Sequence, residues 1–156
     1  MLIQTGQFAP TFSLYNSEKK IVSLADYNGK NVLILFFPLA FSSVCTAELC
    51  AVRDNIALYS NVKAEVAGIS VDSVYTLAAF KTAQHLNFPL LSDFNKEVSI
   101  AYGALYEAFG YGMKGVSKRA AFIVDKEGKI AFAEVLENAG EQPNFEVINE
   151  LLNSLS

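Results

Sequence analysis

One histidine, two cysteines and no long apolar run set the outer limits for this 156-residue chain. Cys45 and Cys50 stand five positions apart and His85 is far away, so no zinc ligand set can be assembled, and neither a metal nor another cofactor is expected. No apolar stretch approaches the roughly 20 residues of a membrane span. The N-terminus has no basic region leading into an apolar core, so neither an anchor nor a secretory leader is expected. Lys and Arg are unclustered and the net charge is −4, which argues against nucleic acid or an anionic membrane as partner. Two cysteines without a leader fit a reducing cytoplasm better than a disulfide-stapled secreted fold. No repeat, linker or low-complexity segment interrupts the chain. A composition 52% apolar and 18% charged predicts a globular protein. A single domain over residues 1–156 would bury about two-thirds of its unfolded-chain surface.

What is present is an alternation of strand and helix patterns. Phe12–Tyr15 and Lys20–Ser23 flank a polar turn and predict an N-terminal hairpin. Leu24–Lys30 reads as a short helical turn closed by Gly29. The unbroken apolar run Val32–Phe37 predicts a central buried strand, and a helix from about Ser43 to Ser60 follows. Ala64–Ser70 predicts the next buried strand, and Asp72 or Ser73 caps a helix reaching about His85. Pro89–Ser92 is a short strand and Asn95–Tyr102 a short helix. Arg119–Val124 and Ile130–Val135 form a hairpin in which Gly128 supplies a positive φ. Asn144–Leu155 closes the chain as a helix, apolar at Phe145, Ile148, Leu151 and Leu152. This order predicts an α/β fold with helices flanking a central sheet.

The chemistry is expected where the central strand ends. Pro38 stops the strand because it has no N–H to give, and Ser42 and Ser43 stand where a helix N-cap is wanted. Beyond them Cys45, Leu49, Val52, Ile56 and Tyr59 recur at helical spacing. Cys45 therefore falls in a first helical turn, where unpaired N–H groups and the macrodipole favour a thiolate over a thiol. The thiolate is the nucleophilic form. A small buried hydrophobe is the other reading of such a cysteine, and position alone leaves both open.

Pro38-x-x-x-Ser42-x-x-Cys45 resembles the peroxidatic signature of the peroxiredoxins. Arg119, opening Arg119–Val124, matches the family's active-site arginine, and Glu48 matches the glutamate that orients it. The similarity runs from Gly6-Gln7-Phe8-Ala9-Pro10 to Gly128-Lys129-Ile130. Pro38-Leu39-Ala40-Phe41 is similar to the alkyl hydroperoxide reductase E type, whereas Cys50 is the feature of the bacterioferritin-comigratory (Q-type) subgroup. The resemblance implies a thioredoxin-like fold: a mixed sheet between helices, with the N-terminal β-hairpin at the front. It implies a peroxidase acting on hydrogen peroxide and small organic hydroperoxides, with thioredoxin or glutaredoxin as the reductant. It implies Cys45 as nucleophile passing through a sulfenic acid, Arg119 favouring the thiolate and donating to the peroxide, and Pro38 shielding Cys45 from water. Ser42 stands where threonine is usual. Its missing methyl predicts a looser rotamer. A homodimer is expected from the reductase E type, against the monomers of the Q-type subgroup.

Cys50 faces a geometric obstacle. Positions i and i+5 of a regular helix lie about 7.5 Å apart along the axis and about 140° around it, roughly 8.6 Å between Cα atoms. A disulfide needs less than about 7 Å. If Cys50 resolves the oxidised Cys45, as the Q-type resemblance implies, the helix must unwind in each cycle. The alternatives are a one-cysteine peroxidase with Cys50 a bystander, and a redox-sensing or binding module without turnover. The C-x-x-x-x-C spacing speaks against a thioredoxin-like disulfide reductase. His85 reads as an ordinary helix-end residue, and Arg53 is expected beside Asp54 or facing a partner. Tyr102, Tyr106, Phe109 and Tyr111 are expected in the core or at a subunit interface.

Overall fold

The strand at the centre, β3 (Asn31–Phe36), is buried at all six positions. An apolar run without alternation requires a strand covered on both faces. β3 lies between β4 (Ala64–Ser70), to which it runs parallel, and β6 (Arg119–Val124), to which it runs antiparallel. β5 (Leu90–Ser92) continues the sheet in parallel beyond β4, and β7 (Ile130–Leu136) ends the opposite side antiparallel to β6. The hairpin of β1 (Ser13–Asn16) and β2 (Ile21–Ser23) joins through β1–β5 pairing. The seven strands run in the order β2-β1-β5-β4-β3-β6-β7. The computed structural model describes residues 3–156; the expected domain over 1–156 thus includes two residues outside the described ones.

Side-chain alternation divides the core in two. Leu33, Leu35 and Phe37 face α1 (Ser43–Asp54), α3 (Val74–Gln84) and α5 (Phe145–Leu155), meeting Cys45, Leu49, Val52, Leu77, Phe80, Ile148 and Leu152. Val32, Ile34 and Phe36 face the other way, onto Phe12, Leu24, Val98, Tyr102 and Phe122. Each large side chain buried in this way contributes roughly 1.5–3 kcal/mol. Two of the flanking helices, α3 and α5, start on capping side chains, with Ser73 Oγ accepting from Thr76 N at 3.1 Å and Asn144 Oδ1 from Val147 N at 3.3 Å.

One expected element is broken. The helix anticipated over 43–60 ends at Asp54 and resumes as α2 (Ile56–Ser60), with Asn55 outside helical geometry at φ −112° and ψ 21°. The Asn55 amide nitrogen Nδ2 donates to the Ala51 carbonyl at 2.8 Å. A short amide that competes for backbone acceptors favours such a break. The apolar stripe continues across it, with Tyr59 still buried.

Candidate active site

The register of the sheet brings the catalytic candidates together. Phe36 pairs with Ala120, so the next pair of positions places Arg119 beside the point where the chain leaves β3 toward Pro38. Alternation along β6 puts Arg119 on the same side as Ala121 and Ile123, the side covered by α1. Its guanidinium there meets three acceptors. Nη2 donates to Cys45 Sγ at 3.2 Å, Nη1 to Glu48 Oε1 at 2.6 Å, and Nε to the Ala139 carbonyl at 2.9 Å. Cys45 and Glu48 are wholly buried and Arg119 is 2% exposed. One turn of α1 separates Cys45 from Glu48, so a single planar cation reaches both. Glu48 Oε2 is buried and has no hydrogen-bond partner. Burial pushes the Glu48 carboxyl up to about 7, against the downward pull of Arg119's charge and hydrogen bond.

Ser42 occupies the N-cap position of α1 with extended backbone, but its side chain caps nothing. The hydroxyl instead donates to the Leu39 carbonyl at 2.7 Å. Its lone pairs and the first N–H groups of α1 are thereby left to an incoming ligand. Pro38 is buried at the head of this loop. Phe41 adopts a left-handed conformation at φ 69° and lays its half-exposed ring on Phe80, 5.0 Å between centroids. Such a conformation costs of order 1–3 kcal/mol in an aromatic residue and persists only where the surroundings impose it. Asp72 ties down the preceding residue, its Oδ2 accepting from Ala40 N at 2.8 Å and from Ser70 Oγ at 2.7 Å. Asp72 and the Ala139 carbonyl are the supports that sequence reasoning missed. Asp72 was legible only as a helix cap, and a backbone carbonyl carries no residue signal.

Cys50 lies apart from this cluster. α1 is continuous through both cysteines, both are free thiols, and Cys50 is only partly buried. Its Sγ faces α3, 3.5 Å from Gln84 Oε1. Arg53 stands in the same seam, donating to the Gln84 carbonyl at 2.5 Å and to Asp54 Oδ1 at 2.9 Å. His85 ends α3 in a left-handed conformation, away from the cluster. Of the aromatic group, Tyr102 and Tyr106 are core, Phe109 is half-buried and stacked on Tyr106, and Tyr111 is fully exposed. Val71, Tyr106 and Val116 form a small apolar cluster, with Leu39, Phe109 and Ala139 packed against it. Among the described residues no group of three or more His, Cys, Asp or Glu could hold a metal ion, and no helix is long and apolar enough to cross a membrane.

A buried cysteine in the first turn of a helix, facing an arginine at the end of a mixed sheet, is an arrangement suited to thiol-based redox chemistry. Comparison with known proteins narrows this to one family. The sequence model of the AhpC/TSA family matches residues 5–133, and the chain belongs to that family. Alkyl hydroperoxide reductase E of Mycobacterium tuberculosis is 39% identical over 137 residues, covering 86% of each protein. Among solved structures, AhpC of Enterococcus faecalis superposes with a TM-score of 0.85 at 30% identity, over 99% of this chain and 93% of that one. Peroxidoxin BcpB of M. tuberculosis gives a TM-score of 0.85 at 26% identity over 99% of both chains. The fold is thioredoxin-like and the protein is a peroxiredoxin, a thiol-dependent peroxidase that acts on hydroperoxides with a thiol reductant.

Proposed function

We propose that Cys45 is the peroxidatic nucleophile and that Cys50 resolves it. The observation that carries this reading is the 3.2 Å contact from Arg119 Nη2 to a buried sulfur in the first turn of α1. The thiolate attacks one peroxide oxygen, the O–O bond breaks, and Cys45 becomes a sulfenic acid. Arg119 and the free N–H groups of the first turn donate to the peroxide oxygens and stabilise charge on the departing one, while Ser42 Oγ accepts from the peroxide O–H. Pro38 keeps water from the sulfur, and Glu48 orients Arg119. The sulfenic acid then condenses with Cys50, releasing water and forming an intramolecular disulfide. A dithiol such as thioredoxin or glutaredoxin reduces it. Hydrogen peroxide and small organic hydroperoxides are the substrates. The proposed compartment is the cytoplasm, because a cycle that starts from free thiols needs a reducing setting. The family resemblance supports a homodimer, which sedimentation of the reduced protein tests.

A one-cysteine cycle is the second reading, favoured by the hold of Gln84 on Cys50 across an intact helix. Intact mass after one equivalent of peroxide separates the two. The expected result is loss of two hydrogens in wild type, reversed by a dithiol, and gain of one oxygen in Cys50→Ser. Cys45→Ser should fold and consume no peroxide. A persistent single oxygen on wild type, with Cys50 still open to alkylation, refutes the two-cysteine cycle. Near-native turnover by Cys45→Ser refutes the nucleophile.

A further inference from the structure

The site holds two acids and one base. Arg119 is permanently cationic, and among the described residues it alone bridges Cys45 and Glu48. Both acids are wholly buried. With both ionised the cluster carries an uncompensated negative charge out of contact with water, a state that burial strongly disfavours. The other titratable groups facing the cluster do not relieve it. Tyr59, from α2, is pushed up to about 12 by burial and, secondarily, by the charge of Glu48. Tyr106 is raised by burial as well and donates its hydroxyl hydrogen to the Leu136 carbonyl. Both are neutral at physiological pH.

The two acids are not supported equally. Cys45 has the guanidinium and also the free N–H groups and positive dipole end of α1. Glu48 has the guanidinium on Oε1 alone, while Oε2 meets no donor. A negative charge spread onto an unpartnered buried oxygen is the costlier of the two arrangements. On the reading of Cys45 as nucleophile, we propose that Cys45 and Glu48 hold one proton between them in the reduced enzyme, carried by Glu48, and that Glu48 releases it when oxidation removes the negative charge from Cys45. The upward shift of the Glu48 carboxyl points the same way.

The step balances with no change of charge in the cluster. The Cys45 thiolate forms an S–O bond and the O–O bond breaks. Sulfur loses two electrons and the departing hydroxide or alkoxide takes them, then takes a proton from solvent. Sulfur is now a neutral sulfenic acid, Arg119 has only Glu48 to neutralise it, and Glu48 yields its proton to solvent. One proton enters and one leaves. Glu48 is in this account a positioning residue that acts through Arg119.

The test uses Cys50→Ser protein in weakly buffered neutral solution with a pH indicator and one equivalent of hydrogen peroxide. Gain of one oxygen by mass confirms that Cys45 was oxidised and checks the nucleophile separately. The expected result is a full ultraviolet thiolate absorbance before peroxide and no net proton uptake on oxidation. Adding Glu48→Gln should leave the thiolate absorbance and produce uptake of one proton per Cys45 oxidised. Uptake of one proton with Glu48 present overturns the proposal, because Glu48 is then already ionised. No thiolate absorbance with Glu48 present also overturns it, since the proton then sits on sulfur, and so does absence of uptake in Glu48→Gln. Should Glu48→Gln fail to fold, infrared difference spectra of Cys50→Ser decide. Loss of a protonated-carboxyl band on oxidation supports the proposal, and its persistence or initial absence overturns it.

Discussion

Arg119→Lys is the perturbation whose outcome the geometry constrains most tightly. The guanidinium satisfies three acceptors from three nitrogens: the Ala139 carbonyl, Glu48 Oε1 and Cys45 Sγ. Lysine keeps the charge but concentrates it on one nitrogen, without the planar fork. One ammonium cannot span the Ala139 carbonyl, Glu48 Oε1 and Cys45 Sγ as the three guanidinium nitrogens do, so the aligned donor to sulfur is lost. Loss of one preorganised donor to developing charge costs about 10²-fold, or about 2.7 kcal/mol in the barrier. Arg119→Met removes the charge as well and should be slower again. The chain has no tryptophan, so the rate is best followed by acid quench and mass analysis of Cys45 under single-turnover conditions. Stability is measured in parallel, because the Ala139 carbonyl also loses its donor, at about 1–3 kcal/mol. A rate for Arg119→Lys within about twofold of wild type would refute the reasoning, given the ~10²-fold expected for such a donor. Equal rates for the Lys and Met variants would show that the fork matters and the charge does not.

Two further outcomes follow from the supports of the site. Glu48 holds its proton up to about 7 in the folded chain against an ordinary 4.5, so its contribution to stability is complete below the lower value and is lost as pH rises through the higher one. Unfolding free energy should therefore fall between about pH 5 and about pH 8 in wild type and fall less in Glu48→Gln; parallel slopes in urea titrations contradict this. Asp72→Ala leaves Ala40 N and Ser70 Oγ without their shared acceptor, so it should cost about 1–3 kcal/mol. The same change should slow Cys45 oxidation by loosening the Pro38–Ser42 loop, and an unchanged oxidation rate would show that the loop holds itself.

Much of this was legible because it rests on local signals. Val32–Phe37 predicts a strand buried on both faces, and β3 lies at the centre of the sheet. Ser73, one of the two caps expected for its helix, is the cap in the structure. Arg119 by contrast is one charge at a strand end, and only the Pro38–Cys45 signature gave it meaning before the β3–β6 register showed it. The break at Asn55 was illegible because the apolar stripe runs through it unperturbed and the disrupting contact is made by a polar side chain on the exposed face. The hydroxyl of Ser42 was expected on the helix end and bonds backwards to Leu39 instead. Propensity names the residue for a cap but does not choose between two acceptors within reach.

The last difficulty is what remains in the pocket when Cys45 leaves it. On the proposed cycle the first turns of α1 open so that the two sulfurs can meet, and several features already weaken those turns. Ser42 contributes no side-chain cap, no acidic residue stands in the first turn, and Thr46 Oγ1 donates to the Ser42 carbonyl at 2.8 Å, a contact that mildly destabilises a helix. Leu49 and Val52 are buried below and hold the remainder. Opening the turn carries the sulfur away from Arg119, which is where an unpaired buried cation would ordinarily forbid the motion. If Glu48 has given up its proton at the preceding step and the opening stops short of it, Arg119 and Glu48 remain behind as a neutral pair joined at 2.6 Å. The proton released by Glu48 on oxidation is thus also what lets Cys45 depart. Under that coupling Glu48→Gln should slow disulfide formation as well as change the proton count.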